Sequence, residues 1–176
     1  MKDFYSDFNK VALRISQDAN VEYYDKWAAT KDGEKDSDRN EEKGSQKSPF
    51  KTKLKLFVVA ACVGSFHNEF DPLENEKSHP LPKVADILKD EDRLALLAIA
   101  HKHLVEKEGN PKNIVELLGD TDKVKKIVEG YANGGIKILW KKLRAAGSDR
   151  LNPLVKDLLE EFKDRLSSLR GSEGEG

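Results

Sequence analysis

The chain has 176 residues, and its 31 Lys and Arg nearly balance its 32 Asp and Glu. This length suits one domain with some residues left for tails, and the balanced charge excludes a global attraction to nucleic acid or to a membrane surface. With 36% charged and 38% hydrophobic residues, the composition favours highly charged helices, and we predict an all-α protein with a compact multi-helix domain.

The first 30 residues carry apolar side chains at helical spacing. One group lies within residues 4–15, and a second contains Val21, Tyr24, Trp27 and Ala28, so we predict one or two amphipathic helices. Residues 31–48 contain no apolar side chain and therefore cannot bury enough surface to offset the entropy of ordering. We predict an N-terminal helical segment over 1–30 and a flexible charged linker over 31–48.

The run "KLFVVAACVGSF" is the most apolar part of the chain and contains its single cysteine, Cys62. Apolar residues on all sides predict a core helix that ends near Gly64. The run is shorter than the roughly 20 residues that span a bilayer, and one cysteine cannot build a disulfide framework. We therefore expect a cytoplasmic protein with no signal peptide and no membrane partner, in which Cys62 is an inert core thiol.

The segment "HNEFDPLENEKSHPLPK" follows, and its three prolines predict an ordered surface loop without regular structure. After a short turn over 84–88, we expect Asp90 to cap a helix that runs to about Lys107 and is stopped by Gly109. Its buried stripe is predicted to comprise Leu94, Leu97, Ala98, His101, Leu104 and Val105.

Two later segments, "NPKNIVELLG" and "NPLVKDLLEEFKDRLSSL", both begin with a cap residue and a proline at the first helical position, which is typical of helix starts. Between them, Asp120 or Thr121 is predicted to begin a long helix that reaches about Ala146. The helical core domain is thus expected to cover residues 49–170, and residues 171–176 are expected to form a disordered tail.

The long helix contains Gly130, Gly134 and Gly135, although each glycine in a helix interior costs about 1 kcal/mol relative to alanine. One band of its surface is cationic at both ends and nearly bare at Gly130, Asn133 and Gly134. Such a face would let a DNA duplex approach closely while basic side chains contact phosphates. The predicted nucleic-acid-binding residues are Lys123, Lys126, Lys137, Lys141 and Arg144.

Two other interpretations of the glycines stay open. Small residues also allow two helices to pack at short distance, and Gly134 with Gly135 could end one helix and begin another. Because the apolar pattern continues beyond the pair without a new cap, we favour one continuous helix with close packing on the Gly135 side.

Metal and catalytic sites find little support in the residue pattern. His101 and His103 are two residues apart and point in different directions from a helix, so we expect one on the buried stripe and one near solvent. The loop residues His67, Glu69, Asp71 and His79 match no recognised metal spacing. We predict no catalytic residue, no metal and no cofactor, although a small helical enzyme that uses the 67–79 loop stays open as the least favoured class.

Three segments occur in an order that identifies a family: "FKTKLKLFVVAACVGSFHNEFDPLE", "DRLALLAIAH" and "VEGYANGGIKIL". Together they resemble DNA phosphorothioation-associated protein 4, a family encoded beside bacterial and archaeal systems that replace a phosphate oxygen of DNA with sulfur. The strongest markers are Pro72 with Leu73 after the apolar helix, and the run from Tyr131 to Gly135. The loop is more acidic here than the resemblance leads us to expect, which argues against DNA binding by the loop itself.

The resemblance implies a role in DNA modification or host defence and carries no established reaction. We therefore expect an accessory, DNA-associated protein of a DNA phosphorothioation-linked modification or antiviral defence system. Its expected partners are double-stranded DNA and other defence-system proteins. The main alternative is a protein-interaction scaffold that never touches DNA, and a homodimer formed through the C-terminal apolar stripe also stays open.

Overall fold

The structure is a computed structural model. It describes most of the helical core and a short N-terminal segment. Compact packing divides the chain into two units, Met1–Leu139 and Trp140–Gly176. The predicted domain boundaries at residues 30, 48 and 170, the linker and the tail lie outside the described residues. The described residues are 12–25, 28, 50, 52–74, 77–81, 89–109, 111–145, 157–158, 160–161 and 163–164.

The fold is all-α, as predicted, apart from one small two-stranded sheet. Strand β1, Arg14–Ser16, pairs antiparallel with strand β2, Ser78–Pro80, so that Arg14 lies opposite Pro80 and Ser16 opposite Ser78. The amide of Leu81 extends the pairing by donating to the carbonyl oxygen of Leu13 at 2.8 Å. This sheet fixes the start of the described chain against the segment that follows the first long helix.

The sheet corrects two predictions. Residues 14–16 form a strand rather than the end of a helix, because burial alternates from Leu13 to Arg14 to Ile15 with the two-residue period of a strand. The proline-rich loop also contains regular structure, namely β2. Pro80 is tolerated at the end of a short edge strand, where a missing N–H removes little pairing.

A helical turn follows β1 directly, which agrees with the prediction of a helix around Tyr24. Helix α1, Gln17–Ala19, begins where the Ser16 hydroxyl accepts the Ala19 amide at 3.1 Å, and a π-helical turn, Asn20–Tyr24, continues it. Tyr24 is buried there, whereas Val21 faces solvent. The ammonium of Lys53 donates to Asn20 at 2.9 Å, which ties this turn to the core helix.

Helix α2, Lys53–His67, is the predicted core helix and is capped by Thr52, whose hydroxyl accepts the Lys55 amide at 3.1 Å. The helix extends three residues beyond Gly64, near which its end was predicted. It continues to His67 and stops at Asn68, which adopts the left-handed conformation with φ 56°. Its buried apolar residues lie on all sides: Leu54, Leu56, Phe57, Val58, Ala60, Ala61 and Val63.

Helix α3, Asp90–Glu108, starts one residue away from the predicted cap, because Lys89 occupies the N-cap position and its amide donates to Asp92 at 3.2 Å. The predicted terminator is confirmed, since Gly109 takes φ 62° at the C-cap. Two short connections then lead to helix α4, Pro111–Leu118, and helix α5, Thr121–Ala145.

The predicted buried stripe of α3 is wrong for most of its members. Of the six residues only Leu104 is buried, while the side chains of Leu94 and Val105 are 54% and 42% exposed. Polar contacts set the rotation of the helix. Asp92 pairs with Lys55, and Lys102 donates to the carbonyl oxygen of Ser65 at 2.6 Å and to Asn68 at 2.9 Å. The residues that turn inward instead are Leu96, Ile99 and Ala100.

Helix α5 is continuous through its paired glycines, as predicted. The Asp120 carboxylate caps it by accepting the amides of Asp122 and Lys123, each at 3.1 Å. In the second unit, Lys142 pairs with Glu161, which lies in one of the few described pieces of the predicted C-terminal helix. Among the described residues, no helix combines the length and the apolar character needed to cross a membrane.

Candidate functional site

Helices α2 and α5 touch each other backbone to backbone at their glycines. A Cβ atom built on Gly135 would overlap the carbonyl oxygen of Ala60 and would lie 2.5 Å from the amide nitrogen of Gly64. A Cβ on Gly64 would likewise overlap the carbonyl oxygen of Tyr131. Both glycines are therefore required by the closeness of the crossing.

The other two glycines of α5 lie under the chain that follows α2. A Cβ on Gly134 would lie 2.8 Å from the carbonyl carbon of Glu69, and one on Gly130 would overlap the ring of Phe70, with Cζ at 2.7 Å. The amide of Asp71 donates to the carbonyl oxygen of Gly130 at 3.1 Å. Residues 69–74, which we call the cover loop, are thus held directly on α5.

The cover loop corrects the interpretation of the bare middle of the cationic band. Gly130, Asn133 and Gly134 are buried, so a DNA duplex cannot approach α5 over these residues. The short side chains instead make room for the protein's own loop. This part of the helix face serves internal packing, and the basic residues on either side of it have to be considered separately.

The five predicted DNA-binding residues lie in different surroundings. In the first unit Lys126 is exposed, Lys123 is half-buried, and Lys137 is exposed but paired with the carboxylate of Asp71. In the second unit Lys141 and Arg144 are exposed, and the guanidinium of Arg144 lies 5.4 Å from the ring centroid of Trp140.

Three aromatic side chains from the cover loop, α3 and α5 form a cluster. The ring centroid of Phe70 lies 4.9 Å from that of His103 and 5.2 Å from that of Tyr131. His103 Nδ1 lies 3.1 Å from the Tyr131 hydroxyl. Burial lowers the pKa of His103, and the positive charges of Lys107 and Lys123 lower it further, while the negative charge of Glu106 opposes them. Two lysines of different helices therefore lie near this cluster.

Sequence reasoning missed the aromatic cluster. Each member comes from a different element, so no periodicity within one segment connects them. The histidine prediction was also reversed, because His101 is exposed whereas His103 makes the internal contacts. The one local signal was Gly130, whose missing side chain leaves the space that the Phe70 ring occupies.

An open cleft of about 390 Å³ lies on the other side of the cover loop, between the loop and the N-terminal segment. It carries four carboxylates against two lysines, so its character is acidic. Sequence reasoning did not anticipate this site, although the acidity of the loop itself was visible. The lining residues are Ser16, Asp18, Ala19, Glu22, Tyr23, Asp71, Pro72, Leu73, Glu74, Lys77, Asn133 and Lys137.

Asn133 contributes a buried amide to this cleft. Its Nδ2 donates to the backbone oxygen of Asp71 at 3.3 Å and to the Asp71 carboxylate at 2.9 Å. Its Oδ1 is buried and has no hydrogen-bond partner. Turning the amide over would place Oδ1 against two acceptors, so the contacts with Asp71 fix its orientation.

Glu129 is a buried carboxylate that joins β1 to α5. Its Oε1 accepts the amide of Arg14 at 2.6 Å and lies 4.0 Å from the ammonium of Lys125. Burial raises the pKa of Glu129 to about 7, although Lys125 and the Arg14 amide oppose the rise. This acid therefore changes its charge close to neutral pH.

The remaining candidates for chemistry are a thiol and the loop histidines. Burial raises the pKa of Cys62, and the charge of Asp92 adds to the rise, so the thiol stays protonated at neutral pH. Within the part of the chain that the structure describes, no three His, Cys, Asp or Glu side chains are grouped so as to hold a metal ion. The histidines of the 67–79 loop thus gain no metal-binding partners there.

Comparison with known protein families places the chain in a described family. The model of the family described as DNA sulphur modification system-associated protein 4 matches residues 31–171, which is well over half of the chain. The search of curated proteins and the search of solved structures each returned no match.

Proposed function

The chain belongs to the family of DNA sulphur modification system-associated protein 4, and we propose that it is a non-enzymatic accessory component that contacts double-stranded DNA. Family membership confirms the resemblance seen in the sequence and associates the chain with a DNA sulphur modification system. The proposal adds that the protein works in the cytoplasm, where the modified DNA is found, and contributes to antiviral defence there.

The observation that carries the DNA proposal is a small basic edge beside the aromatic cluster. Lys107 on α3 and Lys123 on α5 both lower the pKa of His103, with the single carboxylate of Glu106 opposing them, and Lys126 lies one turn beyond Lys123 on the same helix. We call Lys107, Lys123 and Lys126 the basic edge. Lysines from two helices can reach successive phosphates without reading bases, which gives salt-dependent and sequence-independent binding.

The other predicted residues contribute differently. Lys137 is paired with Asp71, so its charge is already largely balanced before any phosphate arrives. Lys141 and Arg144 stay predicted DNA contacts of the second unit, where both are exposed. The proposal therefore assigns the first unit's contacts to the basic edge rather than to the whole cationic band.

A matched pair of variants tests the basic edge. Lys126→Glu and Lys77→Glu replace exposed lysines and change the net charge equally, but Lys77 lies at the acidic cleft. In anisotropy titrations with a fluorescent duplex, Lys126→Glu should weaken binding and lower the salt slope by about one phosphate contact. Lys77→Glu should leave the slope unchanged. Equal effects of the two variants would mean that only net charge matters.

A scaffold that binds other proteins is the second candidate, and the acidic cleft is the observation that favours it. A cleft with an excess of carboxylates repels phosphates and attracts basic groups. The homodimer stays a prediction, because the C-terminal stripe that suggested it lies mostly outside the described residues. The enzyme class gains no specific observation in its favour from the residues that the structure describes.

A further inference from the structure

We infer that the acidic cleft binds a guanidinium group, and that this group is an arginine side chain of a protein partner. The inference concerns a surface on the other side of the cover loop from the basic edge. It goes beyond the proposed contact with DNA and does not depend on it.

The charges of the cleft are only partly balanced by the chain itself. Lys137 pairs with Asp71, and Lys77 lies 3.5 Å from Glu74. Asp18 and Glu22 are exposed, and although the Tyr23 side chain is hydrogen-bonded to Glu22, no lysine or arginine among the described residues pairs with either carboxylate. They are four residues apart within one helical turn and therefore point the same way. The rim of the cleft thus presents two adjacent negative charges.

The amide of Asn133 supplies a second and independent observation. Asn133 is 91% buried, its Nδ2 is fully used by Asp71, and its Oδ1 accepts no hydrogen bond. An unsatisfied buried acceptor costs about 1–3 kcal/mol, so a donor that reaches this oxygen would recover that loss. Because Asn133 lines the cleft, negative charge at the rim is combined with an unused acceptor buried beneath the wall.

A guanidinium matches this combination better than a metal ion or an ammonium. The described residues hold no group of three ligands for a metal. A guanidinium is planar and carries five donors, so it can bond to an amide oxygen and a carboxylate together. The side chains of Ala19, Pro72 and Leu73 give the cleft apolar walls, against which the methylene groups of an arginine can lie.

A protein is the source of this group that the observations favour. The family is associated with a system that contains other proteins, and the cleft is open enough for a side chain to enter while its backbone stays outside. Its volume of about 390 Å³ is close to the lower end of the range for ligand clefts, roughly 300–1,000 Å³. That size suits one long side chain rather than a folded domain.

The test is an NMR titration of the full-length, ¹⁵N-labelled protein with two blocked tripeptides. The first is acetyl-Gly-Arg-Gly-amide, and the second carries citrulline, which keeps the shape of arginine but has no charge and has a carbonyl acceptor in place of one nitrogen donor. The arginine peptide should shift the side-chain amide signal of Asn133 and the backbone signals of Leu73 and Asp18. The citrulline peptide should leave them in place.

Variants of the rim extend the test. Asp18→Asn with Glu22→Gln should weaken binding of the arginine peptide by about fivefold or more, because it removes both unbalanced charges. The control, Glu91→Gln with Glu116→Gln, removes two exposed charges on α3 and α4 and should not change binding. The fold of each variant is checked in the same spectra.

Three outcomes would overturn the inference: shifts confined to other parts of the protein, equal shifts with both peptides, or a rim variant that binds as tightly as the control. A parallel titration with spermidine distinguishes the source. Tighter binding of spermidine than of the arginine peptide would identify a free polyamine and overturn the assignment to a protein partner. Duplex binding measured on the rim variant should be unchanged, so failure here and failure of the DNA proposal are distinguishable.

Discussion

The two sides of α5 use glycine to meet different kinds of neighbour. On one side Gly135 contacts the backbone of α2, which cannot give way locally without distorting the hydrogen bonds of that helix. On the other side Gly130 contacts the ring of Phe70, a side chain that is 39% exposed and can turn away. Gly135 therefore allows a helix–helix contact that the fold requires, whereas Gly130 only makes room for a side chain of the cover loop.

This difference shows where function can reside. The α2–α5 crossing leaves no space for a ligand, so it can only be structural. The cover loop, in contrast, places Phe70 against His103 and Tyr131 in the aromatic cluster, and Asp71 in the lining of the acidic cleft. The basic edge and the acidic cleft thus both adjoin one short loop. The glycines of α5 leave the space in which that loop packs on the helix.

The largest expected effect is at the helix crossing. Gly135→Ala gains about 1 kcal/mol of helix propensity, but its Cβ would overlap the carbonyl oxygen of Ala60, and overpacking of this kind costs about 3 kcal/mol or more. We expect a net loss of about 2 kcal/mol or more in the free energy of unfolding, measured by urea denaturation. A variant as stable as the wild type would show that the two helices are not in backbone contact.

The next effect tests a third neighbour of α5, strand β1. The pKa of Glu129 is raised to about 7 in the fold, so between about pH 4.3 and pH 7 the unfolded chain loses this proton while the folded chain keeps it. Stability contributed by the protonated form is present at low pH and is lost as the pH rises through 7. At about 1.4 kcal/mol per pH unit, the loss between pH 5 and pH 8 should amount to roughly 2–3 kcal/mol.

Glu129→Gln isolates that contribution, because the amide can still accept the Arg14 N–H but has no charge. Urea denaturation at pH 5 and pH 8 should show a smaller decline in the variant than in the wild type. Lys125 faces the same carboxylate at 4.0 Å, and Arg14 and Asp122 also act on it, so these charges have to stay unchanged in the comparison. An identical decline in both proteins would assign the pH dependence to other groups.

The smallest effect on stability is expected at Gly130. Gly130→Ala displaces only the end of the Phe70 side chain, and the gain of about 1 kcal/mol in helix propensity offsets the lost ring contact. The free energy of unfolding should change by less than about 1 kcal/mol, while the NMR signals of the His103 ring should move because Phe70 no longer packs on it. A loss as large as that at Gly135 would remove the contrast between the two sides.

The helical class and the continuity of α5 could be predicted from composition and from the uncapped pattern around Gly134. The rotation of α3 could not, because it depends on Asp92 and Lys102, whose partners lie on α2 and just after it. Strand β1 was mistaken for helix because three residues are too short for a clear period. The cleft was invisible for a related reason: Asp18 and Asn133 are far apart in the chain and meet only in the fold.

The measurement that tests the account most directly is duplex binding by the full-length protein at two salt concentrations, compared between two double variants. Lys123→Glu with Lys126→Glu alters the basic edge, and Asp18→Asn with Glu22→Gln alters the acidic cleft. The first should weaken binding and lower the salt slope by about two phosphate contacts, whereas the second should bind DNA as the wild type does. Wild-type protein that does not bind duplex at low salt, or an unchanged slope in the first variant, would contradict the proposal that this edge contacts DNA.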